Sequence, residues 1–171
     1  MTQFLHSADG TRIGFDDLGT ADAPAVIYVH GATAYRGISA GPTALAATGG
    51  LRIITYDRRG RGDSGDTPPY AVEREIDDIA ALVDHAGAGA ILLGESSGAV
   101  LALEAALAGV PVVAVSDASP AVGEVEPDLE AAAQRVAALV DDRPAEAPDQ
   151  SVLDHDVDVG GRRLLDVVRG G

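Results

Sequence analysis

A chain of 171 residues without a single cysteine is sized for one domain and holds no disulfide, thiolate metal site or cysteine nucleophile. Its formal net charge is −15, with no lysine to offset the acids, so its surface repels phosphate backbones and anionic lipid; nucleic acid and membrane partners are excluded. The start, MTQFLHSADG, lacks a basic segment followed by an apolar one, and no apolar run reaches membrane-spanning length, so a cytoplasmic location is expected.

In chain order, residues 2–6 and 12–16 flank Asp9-Gly10, a hairpin turn pair, and predict a short antiparallel pair at one sheet edge. The apolar run 25–29 is a strand ending in His30-Gly31-Ala32-Thr33. A short helix over 43–47 precedes Gly49-Gly50, a strand spans 51–56, and Asp57 to Gly65 is the loop after it. Val72, Ile76, Ile79, Ala80 and Val83 recur at helical spacing and predict an amphipathic helix over 71–86 with its acids outward. A buried strand ends at Gly94, a helix covers 99–108, and a further buried strand covers 110–115. Beyond it lie a Glu/Pro-rich connector, a helix over 129–140, a Pro/Asp-rich loop, a short strand at 151–153 and a closing helix over 162–168. Strands alternating with helices after a hairpin define a single α/β domain over 1–171. Its sheet is mostly parallel and open, with helices on both faces. Right-handed crossovers gather the loops after the strands at one edge, where ligands bind in such sheets.

The stretch with chemistry is Gly94-Glu95-Ser96-Ser97-Gly98, between a strand and a helix. A G-x-S-x-G turn holds its central serine on strained backbone, and its glycines remove Cβ atoms that would strike strand and helix. The helix N-terminus behind Ser96 offers unpaired N–H groups and partial positive charge to an oxyanion. That suits acyl transfer with Ser96 as nucleophile.

Three features occur in order, each after a strand: His30-Gly31, then Asp57-Arg58-Arg59-Gly60-Arg61-Gly62-Asp63-Ser64, then Gly94-Glu95-Ser96-Ser97-Gly98. Together they resemble the α/β-hydrolase fold family, strongly over 1–109 and more loosely beyond. The resemblance implies an eight-stranded sheet and a cofactor-independent serine hydrolase with a Ser-acid-His triad. Ser96 is then the nucleophile, and the oxyanion hole is formed by the N–H groups of Ser97 and Ala32. His30 buttresses the loop or is simply a satisfied polar group at a strand end, and the Asp57–Ser64 arginines form ion-paired surface. The base is His155, the histidine late in the chain, since His6 and His85 match no catalytic position. Chain order requires an acid between 96 and 155. Asp117, just after a strand, is the candidate, with Glu124, Glu126 and Asp128 in reserve.

The second half departs from the family. It has room for one strand between the elbow helix and the histidine loop, so one strand and the cap domain are expected to be missing and the site open. An open site excludes water poorly and selects weakly, which predicts modest activity on small activated esters. Apolar surface uncovered by the shortening would be covered by a homodimer. Two other functions stay open: a weak or inactive relative that acts by binding, and perhydrolase or C–C hydrolase chemistry on the same triad. Serine at position 96 argues against branches that need a carboxylate nucleophile. Asp154, Asp156 and Asp158 alternate like a calcium loop, but Gly160 falls one place late and Leu165 stands where the bidentate acid belongs, so no metal is expected.

Overall fold

Alternating apolar residues build a sheet with two buried faces, seen in a computed structural model that describes residues 2–87, 89–110, 112, 114–117, 138, 156–159 and 162–163. The first hairpin joins β1 (Gln3–His6) to β2 (Arg12–Leu18) with His6 opposite Arg12. Gly10 takes a φ of +82° in the turn, and the Thr11 N–H donates to Asp9 at 2.9 Å. β3 (Ala25–Val29) lies between β4 (Arg52–Tyr56) and β5 (Ile91–Gly94) and is parallel to both. β6 (Ala114–Asp117) and β7 (Asp156–Val159) extend the parallel part, and β8 (Arg162–Arg163) pairs antiparallel with β7. The order across the eight strands is β1-β2-β4-β3-β5-β6-β7-β8.

Alternation along the central strands sorts the core. Ile27, Val29, Ile54 and Leu92 pack with Ile79 and Leu82 of α2 (Val72–Ala86) and Leu101 and Ala105 of α3 (Ser97–Leu107). Val26, Tyr28, Ile53 and Leu93 pack on the opposite face with Leu45 of α1 (Gly41–Ala47). Handedness explains the division. The β3-to-β4 crossover runs one way across the sheet and the β4-to-β5 crossover the other, so right-handed connections put α1 on one face and α2 on the other. The loops leaving adjacent β3 and β5 therefore lead to opposite faces of the sheet, and their first residues meet at the C-terminal ends of these two strands.

Three expectations change. Glu75 and Asp78 of α2 are buried, because they share an i, i+3, i+4, i+7, i+8 stripe with Ile79, Leu82 and Val83. The strand expected over 110–115 runs instead through Asp117, in register with β5 from Ile91↔Ala114 to Gly94↔Asp117. Arg162 and Arg163 are strand rather than helix. Val159 lies opposite Arg162. The expected strand at 151–153 lies outside the described residues, and of the expected helix over 129–140 only Ala138 is described, as helical. Among the described residues β6 is the one strand between α3 and position 155, as expected, and the sheet reaches eight strands because β8 adds an antiparallel partner after β7.

Candidate active site

The turn after β5 has one conformation open to it. A Cβ at Gly94 would overlap the backbone of Ala99, and one at Gly98 would overlap the carbonyl oxygens of Val29 and His30. With both neighbours pressed in this way, Ser96 adopts φ 54° and ψ −124°, the positive φ of a non-glycine residue among those described. Such backbone costs on the order of 1–3 kcal/mol and persists only where the surroundings enforce it. Here the Glu95 N–H donates to Val29 O at 3.0 Å, the Gly98 N–H to Glu95 O at 2.8 Å and the Ala99 N–H to Ser96 O at 3.0 Å. Ser96 is exposed at the N-terminus of α3.

The loop after β3 packs against this turn. A Cβ built on Gly31 would lie at ordinary contact distance, 3.5 Å from Ser96 Cβ and 3.9 Å from Ser96 Oγ, so the loop backbone runs beside the serine. Ala32 follows, exposed. Among the described residues neither the Ala32 nor the Ser97 N–H has a backbone acceptor. His30 is buried, and its Nε2 is 2.7 Å from Thr55 Oγ1. Burial holds the imidazole neutral and pushes its pKa down to about 4, against a smaller upward pull from Asp57.

Beneath the elbow lies a polar layer. Arg58 places Nε and Nη2 each 2.6 Å from the two carboxylate oxygens of Glu75, while its Nη1 donates to His30 O at 3.2 Å and Ser97 Oγ at 3.4 Å. Tyr70 donates to Glu75 at 3.0 Å. Arg59 makes a second bidentate pair with Asp78, at 2.7 and 2.9 Å. Both arginines are ion-paired, as expected, but they are buried rather than on the surface. Asp57 accepts from the Arg36 and Asp63 N–H groups and from Arg36 Nη2, each at 2.9 Å. Gly62, at φ +51°, has no room for a Cβ beside that carboxylate, so this glycine fixes the loop. Sequence reasoning also missed the Tyr28 hydroxyl, which donates to Glu95 at 3.1 Å. A tyrosine inside the buried run 25–29 was the available signal, since a buried phenol needs a partner.

Asp117 closes β6 opposite Gly94, two residues before Ser96 in sequence, so its backbone sits at the same sheet edge as the elbow. His155 lies outside the described residues, as do Glu124, Glu126 and Asp128. Asp156 opens β7 opposite Ala114, at the start of β6 and the far end of that strand from Asp117. His6 lies in β1, and His85 faces Phe15 and Asp17 of β2. Asp156 and Asp158 are on strand β7, where a calcium loop would need a turn. No group of metal-binding side chains occurs among the described residues, and no described helix is long and apolar enough to cross a membrane.

A parallel sheet with a strained serine at the strand-to-helix turn after β5, faced by the loop after β3, defines a class of fold and site. The chain belongs to the α/β hydrolase family, whose model matches residues 26–169. It is 33% identical over 111 residues to a proline iminopeptidase of Pestalotiopsis fici, covering 63% of this chain and 39% of that protein. It is 30% identical over 97 residues to a bifunctional esterase/perhydrolase of Acinetobacter calcoaceticus, covering 56% of this chain and 35% of that protein. Among solved structures, an α/β hydrolase from Sphaerobacter thermophilus is 44% identical with a TM-score of 0.61, over 81% of this chain and 54% of that one. The chain thus spans well under half the length of the two curated relatives.

Proposed function

We propose that this protein is a serine hydrolase acting on small uncharged carboxylic esters through an acyl-enzyme. The observation that carries the reading is Ser96 itself: a serine on positive-φ backbone at a helix N-terminus, exposed and 3.9 Å from a Cβ position on the facing Gly31 loop. In this mechanism Ser96 Oγ attacks the ester carbonyl while His155 takes its proton. The N–H groups of Ala32 and Ser97 hold the oxyanion. Collapse expels the alcohol, protonated by His155, and leaves an acyl group on Ser96. Water activated by the same histidine then releases the carboxylic acid. Asp117 is the acid that fixes the tautomer of His155 and stabilises the imidazolium. Water and hydrogen peroxide compete for such an acyl-enzyme, so a peracid is the product when peroxide is supplied.

A second reading is a binding protein with an unactivated serine. It is favoured by the register that seats Asp156, the neighbour of His155, beside Ala114 rather than Asp117. Hydrolysis of p-nitrophenyl acetate separates the two. The esterase reading expects turnover by wild type, at least about 100-fold less in Ser96→Ala, and a comparable loss in His155→Ala. Turnover that survives His155→Ala would remove that residue from the mechanism, and well-folded wild type without turnover supports the binding protein.

A further inference from the structure

The two N–H groups assigned to the oxyanion come from separate loops, and one side chain touches both. Arg58 Nη1 reaches His30 O at 3.2 Å, two residues before Ala32, and Ser97 Oγ at 3.4 Å, on the residue that supplies the other N–H. The guanidinium is not free to follow either loop. Its other edge is locked fork to fork on Glu75 at 2.6 Å per contact, with side-chain exposures of only 7% and 1%. Glu75 in turn is anchored in α2, packed on the sheet, and accepts the Tyr70 hydroxyl.

We infer that Arg58, clamped by Glu75, is a positioning residue that sets the separation of the Ala32 and Ser97 N–H groups and hence the width of the oxyanion site. The inference rests on the esterase reading of Ser96. It requires a planar fork. A lysine ammonium at position 58 has no second edge with which to hold Glu75 and both loops together. Arg59 is an internal comparison: equally buried and paired with an α2 acid, it sends its remaining donors to Asp9 and the Arg74 carbonyl.

The test uses the full chain and two substrates, p-nitrophenyl acetate and its thiono analogue, whose carbonyl sulfur is larger and accepts hydrogen bonds more weakly. In Arg58→Met, kcat on the oxygen ester should fall about 10- to 100-fold with KM within about threefold, and the preference for oxygen over sulfur should collapse. Arg58→Lys should not rescue it, whereas Arg59→Met should keep the preference. Amide hydrogen exchange supplies a readout without activity: the hydrogen-bonded amides beside the two donors, Ala34 in the loop after β3 and Gly98 in the serine turn, should lose protection together in Arg58→Met. If Arg58→Met does not fold, Ser97→Ala cuts one contact at an exposed position and should lower the oxygen preference about threefold. Unchanged preference and unchanged exchange in an active, folded variant would overturn the inference. Wild type that fails to hydrolyse the ester would instead overturn the esterase reading, with exchange still deciding whether Arg58 positions the two loops.

Discussion

Arg58 and Arg59 are consecutive, both buried and both held by an acid of α2, yet they serve different parts of the molecule. Arg58 sends its spare donors to the loop and turn around Ser96, and Arg59 sends its own to Asp9 in the β1–β2 hairpin. The acids lie three residues apart on one helix face, so a single turn of α2 receives both arginines. A buried ion pair adds little net stability over a well-packed apolar pair, but breaking one is costly. What such a pair contributes to function is therefore decided by where its remaining donors point.

Substitutions on the hairpin side should give the largest stability effect. Arg59→Met leaves Asp78 fully buried without its partner and should cost about 3–5 kcal/mol. At the size of this domain that lowers the thermal midpoint by on the order of 10 °C. Ester turnover per folded molecule should be unchanged; a parallel loss of turnover would erase the distinction between the two arginines. Acid should sharpen it next. His30 stays neutral in the fold down to about 4, while in the unfolded chain it protonates near its ordinary value of 6.5. The unfolded state then binds more protons between these values, so stability falls as pH drops from 6.5 to about 4. The slope approaches 1.4 kcal/mol per pH unit. Denaturant unfolding across this range should show the decline in wild type and a flatter profile in His30→Gln. The smallest effect is the contact of Arg12 over the Phe4 ring in the hairpin, 4.4 Å from its centroid. Arg12→Ala should cost no more than about 1 kcal/mol by the same unfolding measurement and leave turnover untouched.

Much of the fold was legible because its cause is local. Asp9-Gly10 marks the hairpin, the apolar runs at 25–29 and 91–94 mark strands buried on both sides, and two flanking glycines mark the serine turn. What escaped depends on partners distant in sequence. The acids of α2 read as a solvent face until Arg58 and Arg59 arrive from the loop after β4, 17 and 19 residues earlier, to neutralise them. The Tyr28–Glu95 bond joins residues 67 positions apart. The last strands escaped for another reason: in β7 Asp156 and Asp158 alternate with Val157 and Val159, and acids at every second position do not mark a strand. The strained serine turn was legible in one pentapeptide. The acid and the base were assigned only by likeness to a family whose second half this chain does not fully share.

The central claim is that Ser96 is an activated nucleophile, and covalent labelling tests it most directly. Full-length protein is treated with a fluorophosphonate, digested, and the adduct located by mass spectrometry. The account predicts one adduct, on Ser96, in wild type, none in Ser96→Ala and much slower formation in His155→Ala. Folded wild type that acquires no adduct, or acquires it on another residue, would contradict it.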